Sequence, residues 1–405
     1  MITPVIINRL QWKAYLIFVV TKLLFVPIIC FFFPETSNFR LENIDEFFAS
    51  GGNPAKIAKE ISKAVEAEND SEKLSSVSEK EKVEVEHSDL DIYLTNMMKP
   101  IKNIAVFGAN GALGEVLIPA LLQADFDVGC ITRFGSQKSL PAGVHARLSD
   151  YSNVEALTKV LEGKDAIVEA FNPAAASYQT NILQAALAAG VRHIVTPDFS
   201  GNTFHPNAKE TLIFDPKLTA QRELERIVAE SNGLLSWTAI ITGPWYDWTI
   251  ERGIFWINKE GRTITRYGSG DQRCSISRRA LNGEALVAVL TNPEKYRNRA
   301  AYFASHTVST NQLIALIDDL GLEGWKTVDV PFDGFTEKAR ALWREDTERD
   351  VEDRLNSRAY AALSTVALLD EDNYYGSNFE NQVEPGWDEG ETALKENLKR
   401  LVIHD

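Results

Sequence analysis

Three glycines recur every third residue in Gly108-Ala-Asn-Gly111-Ala-Leu-Gly114, and a basic pair, Arg133 and Lys138, follows them. The apolar run Asn103–Phe107 precedes the glycines, and a stretch with helical character, Ala112 to Gln123, follows them. In such an arrangement the first glycine permits a tight turn. A second lets the backbone approach a pyrophosphate, and a third lets helix and strand pack closely. Asn110 and Ala112 belong to the same phosphate-facing turn, and the helix start offers free N–H groups and a partial positive charge. The spacing therefore points to a dinucleotide, although a strand–helix turn without a ligand would carry similar glycines. Arg133 closes the next strand-like run, where a site for NAD usually has Asp or Glu to hold the ribose 2′-hydroxyl. A cation there suits the 2′-phosphate of NADP(H), which Arg grips in bidentate fashion. The competing reading is that Arg133 and Lys138 are solvated surface charges. Asp150, at the end of the third run, either contacts the adenine or caps the helix that follows.

These residues need a scaffold, and the chain supplies one in regular alternation. Strand-like runs cover Phe126–Arg133, Val144–Asp150, Asp165–Phe171, Arg192–Thr196 and Leu235–Thr242. Helical stretches lie at Asn153–Leu161, Tyr178–Ala189 (closed by Gly190) and Phe214–Ser231. Strands alternating with such helices predict an α/β fold of the Rossmann type, a doubly wound parallel sheet. The C-terminal third predicts a smaller α/β substrate domain, with a capped helix at Ser309–Leu320 and a charged exposed helix at Arg344–Arg358. The expected division is 1–35, an apolar segment; 36–96, a charged linker; 97–247, the nucleotide-binding domain; and 248–405, mainly the substrate domain and partly interleaved with it.

The turn GANGALG, the basic strand end and the segment YQTNILQAALAAGVRHIVTPDFSGN resemble the NmrA-like and isoflavone reductase-like group, atypical members of the short-chain dehydrogenase superfamily. The resemblance runs from about Lys99 to the C-terminus and is clearest up to about Asp247. It implies NADP(H) as cofactor. Gln179 matches the family's glutamine at the start of the fifth helix. The turn Thr196-Pro197-Asp198-Phe199-Ser200 matches its loop beside the nicotinamide, with proline shifted by one place and serine where glycine is usual. Phe171, Pro197 and Phe199 complete the implied cofactor set. No tyrosine is followed four residues later by lysine, the usual short-chain dehydrogenase pair. The isoflavone reductase-like branch uses a lysine on the helix after the fifth strand, which matches Lys217. Asp215 reads as the helix N-cap and Pro216 as its first residue. A lysine in a first turn meets the positive end of the helix dipole, which lowers its affinity for a proton. Without the resemblance, Lys217 reads as an exposed surface residue. Trp245, Tyr246 and Trp248, with Phe255 and Trp256, form an aromatic cluster that either lines a substrate pocket or fills the core. His205 faces the same cleft or solvent.

Composition bounds the remaining choices. The chain has 405 residues, a net charge of −15 and a pI near 5.0. An acidic chain of this kind lacks the basic face that nucleic-acid binding wants. Cys30, Cys130 and Cys274 are too few and scattered for a disulfide framework or a zinc site, which indicates a reducing compartment. Residues 14–33 are apolar except for Thr21 and Lys22, long enough to span a bilayer, yet Lys22 lies near the centre. The segment reads as an anchor, as a cleaved targeting sequence, or, with Met97 and Met98 just ahead of the first strand, as part of an extension absent from the working protein. The expected function is an NADPH-dependent reductase of a small aromatic or conjugated molecule, cytoplasmic unless 14–33 anchors it to a membrane. The alternative is a non-catalytic NADP(H) sensor acting through a protein partner.

Overall fold

The run before the glycines becomes β1 (Asn103–Phe107), and its alternate residues supply both sides of the molecule. Ile104 and Val106 point into one core and Ala105 and Phe107 into the other, as the twofold period of a strand requires. The computed structural model describes residues 99–134, 140, 143–171 and 173–403. Lys138, Cys30 and the expected segments 1–35 and 36–96 lie outside the described residues. The described residues belong to one compact unit, Met97–Asp405.

From β1 the chain runs through α1 (Gly114–Gln123), β2 (Asp127–Arg133), β3 (His145–Ser149), α2 (Val154–Leu161) and β4 (Ala166–Glu169). It continues through α3 (Gln179–Ala188), β5 (His193–Val195), α4 (Asp215–Glu230) and β6 (Ser236–Ile241). After α5 (Tyr246–Glu251), β7 (Ile257–Asn258), β8 (Thr263–Tyr267) and β9 (Arg273–Ile276) come α6 (Leu281–Thr291), β10 (Arg299–Tyr302) and β11 (His306–Ser309). The last elements are α7 (Thr310–Asp319), β12 (Lys326–Val330), α8 (Phe335–Glu348), α9 (Arg358–Leu369) and α10 (Gly390–Ile403).

Seven strands form a parallel sheet in the order β10-β6-β5-β4-β1-β2-β3. Leu117, Ile118 and Leu121 of α1 and Leu286 and Val289 of α6 cover one face. Leu157 of α2, Ile182 of α3 and Leu224 of α4 cover the other. Strands buried on both faces read as continuous apolar runs, which is why β1, β4 and β6 were recognisable in the sequence. The strand order reverses between β1 and β4, and the crevice at the C-terminal ends of these strands is where a doubly wound fold accepts ligands.

Beyond β6 the chain builds a small sheet β12-β8-β7, the pair β11-β9 and helices around two further cores. Within the same stretch α6 and β10 return to the large sheet. Helix α7 starts at the expected cap: Ser309 and Gln312 exchange side-chain and backbone hydrogen bonds in a capping box. The charged helix expected across 344–358 does not form as one element. Helix α8 stops at Glu348, Asp350 takes a left-handed φ of 51°, and the chain turns before α9 begins at Arg358. Asp215 is likewise not a cap: the helix begins with Asp215 itself, and Phe214 at the cap position makes no side-chain bond. Among the described residues no helix is long and apolar enough to cross a membrane; residues 14–33 are not among them.

Candidate cofactor and active site

Gly108 leaves β1 with φ +78°, and a Cβ there would lie 2.5 Å from the Ala170 carbonyl oxygen, so the end of β4 lies directly against the turn. The Gly111 N–H donates to the Gly108 carbonyl at 3.1 Å and closes the loop. At Gly114 a Cβ would meet the Ala109 carbonyl oxygen at 2.1 Å. This third glycine is buried at the start of α1 and lets the helix seat on the loop; it does not line the cleft. Leu113, at the cap position, makes no side-chain bond, and the Glu115 and Val116 N–H groups donate to the Gly111 (3.2 Å) and Leu113 (3.1 Å) carbonyls.

A cleft of about 1480 Å³ opens above this turn. Gly108, Asn110, Gly111 and Ala112 form one end of it, and Arg133 stands where β2 reaches it. No ion pair to Arg133 is present among the described residues, which leaves its guanidinium available. Phe134, 68% exposed, lines the cleft beside it. Asp150 does not cap the helix that follows, as one of its two expected roles required. It is exposed and accepts bonds from the Ser152 N–H (2.9 Å) and hydroxyl (2.6 Å), while Asn153 caps α2 by accepting from the Ala156 N–H. A short carboxylate beside a turn readily bonds its own backbone in this way.

Phe171, Pro197, Phe199 and Lys217 line the same cleft. The turn that carries Pro197 and Phe199 is braced from both sides. Asp198 accepts from the hydroxyls of Thr196 and Thr203, both at 2.6 Å, and the Trp245 indole N–H donates to the Phe199 carbonyl at 3.0 Å. Phe199 is held at φ +36°, a strained value for a residue with a Cβ. The Lys217 ammonium donates to the Asp198 carbonyl and to Ser200 Oγ, each at 2.8 Å. Burial pulls the Lys217 pKa below the usual lysine range, and the nearby Asp198 carboxylate opposes this.

Glu169, at the end of β4, escaped the sequence reading because it sits inside an apolar strand run with no spacing to mark it. It is fully buried, and Gln179 Nε2 donates to one of its oxygens at 2.7 Å. Burial pushes its pKa from 4.5 up to about 8, so it is neutral at pH 7. The folded state thus keeps a proton that the unfolded chain releases, and stability falls as pH rises from about 4.5 to about 8. Glu169→Gln is expected to flatten that slope. Urea unfolding from pH 5 to 9 checks this, and an unchanged slope would refute it.

The aromatic cluster divides. Trp245 and Trp248, three residues apart and therefore on one side of a helical turn, line the cleft and meet edge to face at 6.2 Å. The Arg252 guanidinium lies 4.4 Å over the Trp248 ring and borders the same space. Phe255 lines the cleft as well. Tyr246 does not: it is buried on the opposite side of α5, where its hydroxyl accepts from Asn397 Nδ2 at 3.0 Å. Trp256 is also core. His205 packs against Gly376, away from the cleft. A further wall comes from α9 and the turn before it, with Arg358, Tyr360 and Thr365 among the lining residues. No motif marks that segment in the sequence. Cys130 and Cys274 are buried free thiols. Among the described residues no group of three or more His, Cys, Asp or Glu side chains is placed to hold a metal.

The arrangement fits a dinucleotide. The glycine turn is a cradle that side chains would fill, and the space exceeds the roughly 300–1000 Å³ of an ordinary small-molecule site. Comparison with known proteins agrees. Residues 108–293 match the NAD(P)H-binding family. The oxidoreductase aprR of Aspergillus flavus is 31% identical over 226 residues, which is 54% of this chain and 74% of that protein. Leucoanthocyanidin reductase of Vitis vinifera, solved as its binary complex with NADPH, superposes with a TM-score of 0.57 at 15% identity, covering 75% of this chain and all of that one. A 56-residue stretch is 43% identical to the MFS-type transporter oryC of Aspergillus oryzae, 14% of this chain and 10% of the transporter.

Proposed function

Since the chain belongs to the NAD(P)H-binding family of oxidoreductases, we propose that it is an NADPH-dependent reductase of a small aromatic or conjugated molecule. One observation carries this reading: a single cleft joins the glycine turn, Arg133, Lys217 and the pair Trp245/Trp248. When bound, NADPH supplies a hydride. The chain's own residues do the rest. The turn from Gly108 to Ala112, at the positive end of α1, holds the pyrophosphate. Arg133 meets the 2′-phosphate, and Phe171, Pro197 and Phe199 border the nicotinamide half. Trp245, Trp248 and Phe255 give a flat conjugated substrate rings to stack on, and with the α9 wall they exclude water. Lys217 holds the proton at Nζ that the reduced substrate needs, and the lowering of its pKa by burial makes the ammonium a readier donor than an exposed lysine. The free thiols of Cys130 and Cys274 suit the reducing cytosol, where NADPH is supplied.

The test is oxidation of NADPH, followed at 340 nm, by the 405-residue chain with a panel of conjugated aromatic ketones, trans-chalcone among them. Oxidation that depends on the added compound supports the reading, and none across the panel overturns it. The cofactor preference has its own test. Arg133→Ala is expected to weaken NADPH binding by about 10- to 100-fold, the loss of a charge-assisted contact, with NADH within about twofold. Equal losses for both cofactors in a fluorescence titration would remove Arg133 from the 2′-phosphate.

A further inference from the structure

We propose that Ser200 is a second member of the proton-transfer apparatus: its hydroxyl, bonded to Lys217 in the wall of the cleft, delivers the proton to the substrate. The inference rests on the reductase reading above and concerns the route of the proton. Ser200 Oγ accepts from Lys217 Nζ at 2.8 Å, and Ser200 lines the cleft. Because this oxygen already accepts from the ammonium, its own O–H is left to donate, and among the described residues none takes it. The backbone around it is fixed independently of the side chain. The Ser200 carbonyl accepts the N–H groups of Thr242 (3.1 Å) and Gly243 (2.9 Å), and Ser200 bridges to Ile241 at the end of β6. The hydroxyl is thus a polar group held in place on a strand extension, with the half-buried Lys217 ammonium bonded to it in the same cleft.

The step balances simply. A conjugated substrate that has accepted hydride from NADPH carries an electron pair on oxygen or carbon. The Ser200 O–H bond breaks and its proton moves to that atom. A Lys217 N–H bond breaks in turn, its proton re-forms the Ser200 O–H, and Lys217 is left neutral until water protonates it again.

Ser200→Ala, Ser200→Gly and Ser200→Thr in the full chain test the relay by two readouts. The first is the Lys217 pKa, from NMR titration of ¹⁵N-lysine-labelled protein, with the signal assigned by its loss in Lys217→Ala. Removing the hydroxyl takes an acceptor from the charged form, so Ser200→Ala and Ser200→Gly are expected to lower this pKa further, while Ser200→Thr leaves it in place. The second is turnover of the panel compound that oxidises NADPH fastest. Ser200→Ala and Ser200→Gly are expected to lose about 10- to 100-fold in kcat, with NADPH affinity within about twofold and Ser200→Thr within about fivefold. An unchanged Lys217 pKa or an unchanged kcat in Ser200→Ala and Ser200→Gly overturns the relay. If Lys217→Ala is inactive in that case, the lysine keeps its role and donates directly. A parallel loss of NADPH affinity or of folding in all three variants marks Ser200 as structural and also overturns the relay. No NADPH oxidation by the unaltered chain overturns the reductase reading itself.

Discussion

Lys217→Ala is expected to cut turnover about a hundredfold or more, the usual scale for a positioned acid or base. The lysine enters the cleft from the first turn of α4 and sits on the Asp198 carbonyl and the Ser200 hydroxyl. None of these contacts reaches the glycine turn or Arg133, so NADPH affinity should change little. Lys217→Arg should not restore activity, because a guanidinium stays protonated and cannot pass a proton on. The pH profile gives a second check. If Lys217 acts in its ammonium form, activity falls as pH rises through its folded pKa, which burial places below the ordinary 10.5. The alkaline limb of kcat/KM should therefore lie below that value. Full activity in Lys217→Ala would refute the mechanism and leave the fold untouched. A non-catalytic sensor would show no turnover to lose and no response of NADPH binding to the substitution.

Gly114→Ala is expected to destabilise the protein by about 3 kcal/mol, the upper part of the range for overpacking. The added methyl would fall 2.1 Å from the Ala109 carbonyl oxygen. Its neighbour there is backbone, so no rotamer change relieves the clash. Either α1 lifts from β1 or the loop from Ala109 to Leu113 shifts. The first move opens the contact of Leu117, Ile118 and Leu121 with the sheet, and the second distorts the phosphate cradle. Thermal unfolding with and without NADPH separates these outcomes: lower stability in both conditions indicates the helix, and loss of the NADPH-dependent increment alone indicates the loop. Unaltered stability and cofactor affinity would show that the turn yields more easily than its geometry allows.

The parts of this molecule that could be read from the sequence are those whose cause is local. Glycine spacing reports on a turn a few residues long, and an apolar run such as Asn103–Phe107 reports on a strand buried on both faces. The position of Arg133 in the cleft was legible because a strand end has a fixed relation to the glycine turn within one βαβ unit. Lys217 is different, since only the family resemblance separated it from an ordinary surface lysine. The misplaced residues share a reason. Tyr246 and Trp248 differ by two positions on a six-residue helix, and which side of so short a helix meets the cleft is decided by packing against α10, not by the local pattern. Asp150 is held by its own turn. Glu169 is a carboxyl group kept neutral by burial, and sequence records the residue but not its protonation. The α9 wall was invisible because its relation to the glycine turn exists only once both have packed into the same unit.

That wall has a consequence for how such chains diversify. The groups that would grip NADPH are encoded near one end of the described residues, and much of the surface that would face the substrate is encoded near the other. Substitutions in α9 or in the turn before it leave the glycine turn and Arg133 unaltered, and distant sites of this kind act nearly independently on stability. A duplicated copy can therefore drift in what it reduces while inheriting its reductant unchanged. In the reductase proposed above, only the short stretch from Pro197 to Lys217, where proton and hydride would meet, has to stay in step with both.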